Sequence, residues 1–545
     1  MIKIFLRMHT WFLREFCRAL LVELLRIVRS NVEKLRNGGR KLRILVLVGG
    51  GVGDVLMQGL AIKELFKRIN CDHSIDVTSS YSDPFHYFPF IFYGWKFLNI
   101  KHKDRILIGM YDVVIKMDRV TSILYCDGKF VSKKSPWLHN FCTENEKFFA
   151  EHGQFFGVPS YSHAVVNQWS ILHGRKRIQQ ADQCGLLGIN DSSHTLLDIN
   201  PGIFQFVEKV NLGGVPYVTI QRGINYREQA TDSTKIWPIS HYEKFVKMFH
   251  ETFPLIKIVQ LGYSNKFCKA IDGVDLNLVG ETSLYDVASV LKCSLLHIDG
   301  DGGMVHMKRF LNGKSVVVFG PTSADLFGYS GNVNLMVNVC KNGCEWVTDT
   351  WYKKCLRGFD GAPCMESVTP EMVMEATKRV INSLKDYSYA VVDSNIGDGE
   401  IADYVIANDV GRNARIIDVF NKNGMAVARK LAENFLNLTV FRDNFKFDAF
   451  SDDKNAGLKL EYGCIYNISV DDNSCDIVIW QSGCDAVPSV EYAIGELFRV
   501  LKPGGSLIVS GVELSSPTPT LQRFGIFSKS IKKFGTTVLT KTEKS

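Results

Sequence analysis

Three times along the chain, a short run of branched apolar residues stops at glycine and passes into helical periodicity. No other feature restricts the fold as much. Leu42-Arg43-Ile44-Leu45-Val46-Leu47-Val48 runs into Gly49-Gly50-Gly51-Val52-Gly53-Asp54, and a helical stretch then continues to about Arg68. Tyr217-Val218-Thr219-Ile220-Gln221 leads through a polar loop to a helix from about Ser240 to Thr252. Tyr389-Ala390-Val391-Val392-Asp393 is followed by Gly397 and Gly399. Further short strands are expected at 74–78, 112–116, 256–261, 295–298, 315–319, 476–480 and 506–510. Strands apolar on both faces and alternating with helices belong to parallel sheets covered on both sides. The expectation is an α/β protein of three consecutive Rossmann-like domains at 41–212, 213–385 and 386–545, a division the length of 545 residues allows. Residues 120–200 are rich in aromatics and show no clean period.

Charge is concentrated at the start. Residues 1–43 hold eleven Lys/Arg and three Asp/Glu, whereas the whole chain carries a net charge of +7, so the body is close to neutral. That excludes a protein that coats nucleic acid, and no nucleic-acid partner is expected. On a helical wheel Lys3, Arg7, Arg14, Arg18, Arg26 and Arg29 share a sector of about 140°. Ile2, Phe5, Leu6, Phe12, Leu13, Phe16, Leu20, Leu24 and Ile27 lie opposite. Charges interrupt this segment too often for the ~20 apolar residues of a membrane span. Arg14, Glu15 and Arg18 also stand where a signal peptide is apolar. Residues 1–40 therefore read either as a helix lying on an anionic membrane at its cytoplasmic face, or as a helix packed on the body or on a partner.

Three motifs carry chemistry. Gly51-Val52-Gly53-Asp54 joins a strand to a helix, where glycine permits close approach of a ligand and the helix start favours negative charge. It has neither the lysine of a P-loop nor dinucleotide-fingerprint spacing, and Asp54 is equally placed to act as a helix cap. Thr234-Lys235-Ile236-Trp237-Pro238 sets a lysine in a loop at the carboxyl end of a strand, where α/β sheets bind ligands. The densest motif is Asp299-Gly300-Asp301-Gly302-Gly303-Met304-Val305-His306, followed after one strand by Phe319-Gly320-Pro321-Thr322. Gly302 and Gly303 open a helix whose free N–H groups suit phosphate, Asp301 stands at that terminus, and His306 lies about one turn in.

Gly53-Asp54, Lys235-x-Trp237-Pro238, Asp301-Gly302-Gly303 with His306, and Phe319-Gly320-Pro321-Thr322 occur in an order that resembles the heptosyltransferase family of GT-B glycosyltransferases. The resemblance covers about residues 42–385 and is thin between 80 and 210. It implies a GT-B pair of Rossmann-like domains and a nucleotide-diphosphate sugar such as ADP-heptose as donor. The implied acceptor is a surface glycan, a lipid-linked saccharide such as lipopolysaccharide, or a protein. In that family the residue matching Asp54 is the proposed general base. The residues matching Lys235 and Asp301–His306 hold the nucleotide diphosphate. Two departures stand out: Gln221-Arg222-Gly223 replaces the Pro-Gly of many members, and Asp54 is not followed by Thr-x-Pro.

Fourteen cysteines are mostly scattered, but Cys340, Cys344, Cys355 and Cys364 fall within 25 residues. Four thiolates in one loop-rich segment suit a tetrahedral structural metal, zinc by ligand type. The autotransporter branch of the family, which has a cysteine-ligated iron site, keeps iron open. Four unligated thiols or two disulfides are the other readings.

The third domain has its own resemblance. Asp476-Ile477-Val478-Ile479, followed by Glu496-Leu497-Phe498-Arg499-Val500-Leu501-Lys502-Pro503-Gly504-Gly505, is similar to the second half of class I S-adenosylmethionine methyltransferases. Asp393 with Gly397 and Gly399 resembles that family's cofactor loop, with Asn395 where its first glycine is expected. Asp418 is the carboxylate nearest the expected ribose-binding position. The domain is thus either an S-adenosylmethionine site or a retained scaffold. Together these features point to an inverting GT-B glycosyltransferase with an appended methyltransferase-like domain. The alternatives are glycan methylation as the main activity, or a non-catalytic glycan- or partner-binding scaffold.

Overall fold

The computed structural model describes residues 41–78, 96–97, 111–156, 161–190, 204–213, 215–223, 233–263, 268–340, 343–348, 350–384, 389–396, 400–408, 410–419, 426–442, 459–462, 464–468, 470–481, 490–510 and 536–542. The basic amphipathic stretch at 1–40 and the glycines Gly397 and Gly399 lie outside the described residues. The chain divides into two compact units. The first is Met1–Asp198 with Pro321–Ser330 and Cys340–Gly361; the second is Ile199–Gly320, Gly331–Val339 and Ala362–Ser545.

The first unit is built on a five-stranded sheet. Its strands are β1 (Leu42–Val48), β2 (His73–Thr78), β3 (Lys96–Phe97), β4 (Val113–Met117) and β5 (Thr121–Cys126), in the order β3-β2-β1-β4-β5. All pairings are parallel except that of β5 with β4. The order reverses between β1 and β4, which is where a doubly wound sheet opens a crevice at its carboxyl edge. Ile44, Val46 and Val48 are fully buried and share the core with Val55, Leu56 and Leu60 of helix Val52–Arg68.

Beyond β5 the chain forms helices Gly128–Lys134, Pro136–Phe156 and Tyr161–Leu172 and a 3-10 turn at Arg177–Asp182. The aromatics that obscured the period here are the packing between these helices. Phe148 meets Trp169 of the next helix edge-on at 5.5 Å, and within helix Pro136–Phe156 Trp137 stacks on Phe141 at 5.5 Å.

The second unit holds two sheets. β6 (Tyr217–Gln221), β7 (Lys257–Leu261), β8 (Leu276–Asn277), β9 (Leu296–Gly300), β10 (Ser315–Phe319) and β11 (Val333–Met336) form a wholly parallel sheet in the order β11-β10-β9-β6-β7-β8. This is the doubly wound order, with its switch between β6 and β9.

The other sheet comprises β12 (Tyr389–Ile396), β13 (Arg415–Val419), β14 (Asn437–Arg442), β15 (Lys459–Tyr462), β16 (Cys475–Gln481), β17 (Leu501–Ser510) and β18 (Thr536–Lys541). Its order is β12-β18-β17-β16-β13-β14-β15. Here the structure departs from the sequence reading. β12, expected to open the third parallel sheet, is an edge strand antiparallel to β18, and β13 takes the place beside the switch.

Buried polar groups join the two sheets of this unit. Lys308, on helix Gly303–Phe310, donates from Nζ to Leu291 O (2.6 Å), Ser294 O (2.7 Å) and Ser294 Oγ (2.9 Å), which closes the end of helix Leu284–Cys293. Burial pushes the Lys308 ammonium down to about 7. From the same region Asn312 Nδ2 donates to Val470 O at 2.8 Å. The segment it meets is held by Arg499, which donates to Ile468 O and Val470 O and pairs with Glu496 (2.7 Å) and Asp472 (2.6 Å). The Glu496-x-x-Arg499 portion of the methyltransferase-like motif is therefore a brace.

Candidate active site

In the first unit the residues of interest gather at the carboxyl ends of β1 and β4. The backbone leaves β1 through Gly50, whose φ of +99° is left-handed, and a Cβ there would lie 2.5 Å from that of Asp54. Glycine at 50 thus lets Asp54 turn back over its own helix start. Gly51 N–H donates to Asp54 Oδ2 at 3.0 Å, and Gly53 is buried in the first turn. Asp54 Oδ1 accepts from Nη2 of Arg177, a buried residue of the 3-10 turn. Burial alone would raise the Asp54 carboxyl. The charges of Arg177 and Arg119 and the Gly51 N–H outweigh it and hold the carboxyl at about 2.

Arg119, just past β4, is fixed from its other side. Its Nη1 donates to Asn167 Oδ1 (2.8 Å) and its Nη2 to Glu345 Oε1 (3.3 Å), while Asn167 Nδ2 donates to Glu345 Oε2 (2.8 Å). His163 faces the same group of charges. Burial and the neighbouring Arg119 push it down to about 4, so it is neutral at pH 7. Its Nδ1 is buried and has no hydrogen-bond partner among the described residues. Asp118, half-buried beside Gly49, is a second carboxylate at this edge. Arg119, His163, Asn167, Arg177 and Glu345 were not singled out from sequence. They lie up to 226 positions apart and carry no local spacing signal.

In the second unit the switch between β6 and β9 brings together much of what the motifs suggested. Lys235 Nζ lies 3.6 Å from Asp301 Oδ2. The loop bearing Lys235 is anchored by Trp237, which is buried and donates from Nε1 to Val368 O at 2.7 Å. Gly302 precedes helix Gly303–Phe310 in extended conformation with no side-chain cap, so the first N–H groups of that helix find no acceptor within it. His306 is buried on this helix. A buried row stands behind the loop: Asp299 Oδ2 lies 3.3 Å from His297 Nε2, and His297 Nδ1 lies 3.0 Å from Thr219 Oγ1. Burial raises the Asp299 carboxyl against the opposing pull of His297.

Other expected residues have different work. A Cβ on Gly320 would lie 2.4 Å from Met365 Sδ, so glycine there admits helix Pro363–Glu366. Pro321 and the buried Thr322 fall in the first unit, where Pro321 O accepts from the N–H groups of Cys344 (2.9 Å) and Glu345 (3.2 Å). This turn carries Glu345 to Arg119.

The cysteine cluster is spread over the segment between β11 and helix Pro363–Glu366. Cys340, Cys344 and Cys355 belong to the first unit and Cys364 to the second, and none of the four is in a disulfide. Among the described residues no group of three or more His, Cys, Asp or Glu is placed to hold a metal ion. The loop is secured by Glu345 and by tryptophans: Trp351 is buried 5.8 Å from Trp346, whose ring meets His163 edge-on at 4.9 Å.

The two acids expected to serve S-adenosylmethionine lie on different strands. Asp393 is on β12 and Asp418 on β13, four places apart in the sheet, or about 19 Å. Asp418 is wholly buried in its strand, and the glycines that were to complete the set lie outside the described residues.

Doubly wound sheets with polar groups collected at their switch edges are the arrangement in which α/β proteins bind ligands. Residues 158–354 match the sequence model of glycosyltransferase family 9 (heptosyltransferase), and residues 424–509 match that of a methyltransferase domain. The chain thus carries a glycosyltransferase family 9 (heptosyltransferase)-like domain followed by a methyltransferase domain.

Among solved structures it is similar to ADP-heptose lipopolysaccharide heptosyltransferase II of E. coli. The identity is 15% over 63% of this chain and 100% of that one, with a TM-score of 0.41. The iron-containing dodecameric glycosyltransferase TibC of enterotoxigenic E. coli matches at 13% identity over 63% of this chain and 78% of its own, TM-score 0.41. A putative S-adenosyl-L-methionine-dependent methyltransferase of Methanococcus maripaludis matches at 20% identity over 21% of this chain, TM-score 0.17; the match spans 54% of that protein. No curated protein matches in sequence. Among the described residues no helix is long and apolar enough to cross a membrane.

Proposed function

We propose that the protein transfers a sugar of the heptose class from a nucleoside-diphosphate donor such as ADP-heptose to a hydroxyl of a surface glycan, lipid-linked saccharide or protein, with inversion. The observation that carries this reading is the Lys235–Asp301 pair at the uncapped start of helix Gly303–Phe310, on the switch edge of a wholly parallel sheet. Cationic and N–H groups fixed in that way suit a diphosphate, whose charge grows as it departs. The acceptor oxygen bonds to the anomeric carbon, the bond from that carbon to the phosphate oxygen breaks, and the hydroxyl proton passes to a carboxylate.

Asp54 is our choice for that base. Paired with Arg177 it is a weak one, since a carboxyl near 2 holds a proton poorly. An acceptor hydroxyl that takes the place of Arg177 on Oδ1 would meet a stronger base. Residues 1–40 would seat the enzyme on an anionic membrane surface, and the methyltransferase domain would draw on S-adenosylmethionine.

A stability and transfer panel of ADP-, GDP-, UDP- and CDP-sugars plus S-adenosylmethionine tests the reading, because a ligand bound only by the folded state raises its apparent stability. At least one nucleotide sugar is expected to stabilise the protein and be consumed. No response to any of the four would refute the proposal.

A further inference from the structure

Where many relatives resembling this chain have Pro-Gly, β6 ends in Gln221-Arg222-Gly223. Arg222 is only 3% exposed, and its Nε and Nη1 are buried without a hydrogen-bond partner among the described residues. A guanidinium cannot shed its charge to escape burial, so a buried one ordinarily has a carboxylate or a set of acceptors around it. The nearby carboxylates are already engaged: Asp301 with Lys235 at 3.6 Å, and Asp299 with His297 at 3.3 Å.

The position of Arg222 is informative. β6 pairs with β9 in the register Ile220↔Ile298, and two further residues bring Arg222 abreast of Gly300. A Cβ on Gly300 would lie 3.3 Å from Lys235 O. Tyr242, whose hydroxyl donates to Gln221 O at 2.9 Å, is close enough to both Arg222 and Asp299 to feel their charges. Arg222, Lys235 and the start of helix Gly303–Phe310 therefore share one edge of the sheet.

We infer that Arg222 is a donor-binding residue that takes the terminal phosphate of the nucleoside diphosphate. This rests on the glycosyltransferase reading above and adds to it a cation that its motifs do not contain. The planar fork of a guanidinium matches two phosphate oxygens, a geometry the single ammonium of Lys235 does not offer. The missing counter-charge of the ligand-free site is then supplied by the donor.

The test compares wild type, Arg222→Met and Arg222→Lys by calorimetry with ADP, GDP, UDP and CDP and with the four corresponding monophosphates, alongside thermal unfolding without ligand. Wild type should prefer one diphosphate over its monophosphate. Arg222→Met should weaken that diphosphate roughly 10- to 100-fold, leave the monophosphate almost unchanged, and raise the ligand-free Tm because an unpaired buried charge is gone. Arg222→Lys should fall between the two. Unchanged diphosphate affinity in Arg222→Met overturns the inference, as does an equal loss for both nucleotides together with a lower Tm, which is the mark of a structural role. A wild type that binds none of the four diphosphates overturns the glycosyltransferase reading as well.

Discussion

Asp54 and Arg177 form the ion pair with the most direct consequences, and replacing Arg177 by glutamine isolates it. The carboxyl is held at about 2 against an ordinary 3.8, which corresponds to about 2–3 kcal/mol of preference for the charged form. Its side chain is 29% exposed and that of Arg177 is 3%, so solvent screens the pair only in part. Burial is the largest single influence on Asp54 and acts upward, so without Arg177 the carboxyl should rise from about 2, held down then only by Arg119 and the Gly51 N–H. The coupling between the two residues should then reach about 2–4 kcal/mol at pH 7.

The sign with pH follows from the lowered value. Stability from this group is present above the unfolded-state value near ~4 and is lost as pH falls through about 2. A double-mutant cycle of wild type, Asp54→Asn, Arg177→Gln and the double variant measures the coupling, read by hydrogen exchange at helix Val52–Arg68 in the full-length chain. In the transfer assay the acid limb of the rate should move upward in pH in Arg177→Gln. A coupling below about 0.5 kcal/mol would refute the reasoning, because Asp54 would then owe its charge to something other than Arg177.

Asp54→Ala should lower turnover by roughly two to four orders of magnitude with donor affinity almost intact, measured by steady-state transfer and by donor calorimetry. Lys235→Ala should weaken donor binding and turnover together in the same assays. Gly320→Ala should cost about 1–3 kcal/mol by pressing on Met365, and thermal unfolding should show much of that recovered in Gly320→Ala/Met365→Ala. Deleting residues 1–30 should abolish sedimentation with anionic liposomes; undiminished binding by the truncated chain would remove the membrane role from that segment.

Local sequence determined a great deal. The apolar runs at 42–48, 217–221 and 315–319 are strands because branched residues buried on both faces have few other stable arrangements, and glycine marks where each must turn. The Lys235 and Asp301 motifs were legible for a related reason: each sits within a few residues of a strand's carboxyl end, and the doubly wound rule places such ends together. The remainder depended on partners far away in the chain. Arg177 reaches Asp54 across 123 positions, and Glu345 reaches Arg119 across 226; no spacing rule connects them. Sheet order could not be read either. The run at 389–396 has the composition of a central strand, and only its pairing with β18 sends it to the edge, away from Asp418. The cysteine segment shows the same limit. Closeness along the chain suggested that the cysteines act together, and spacing could not tell that Cys340–Gly361 packs with one unit and the chain from Ala362 with the other.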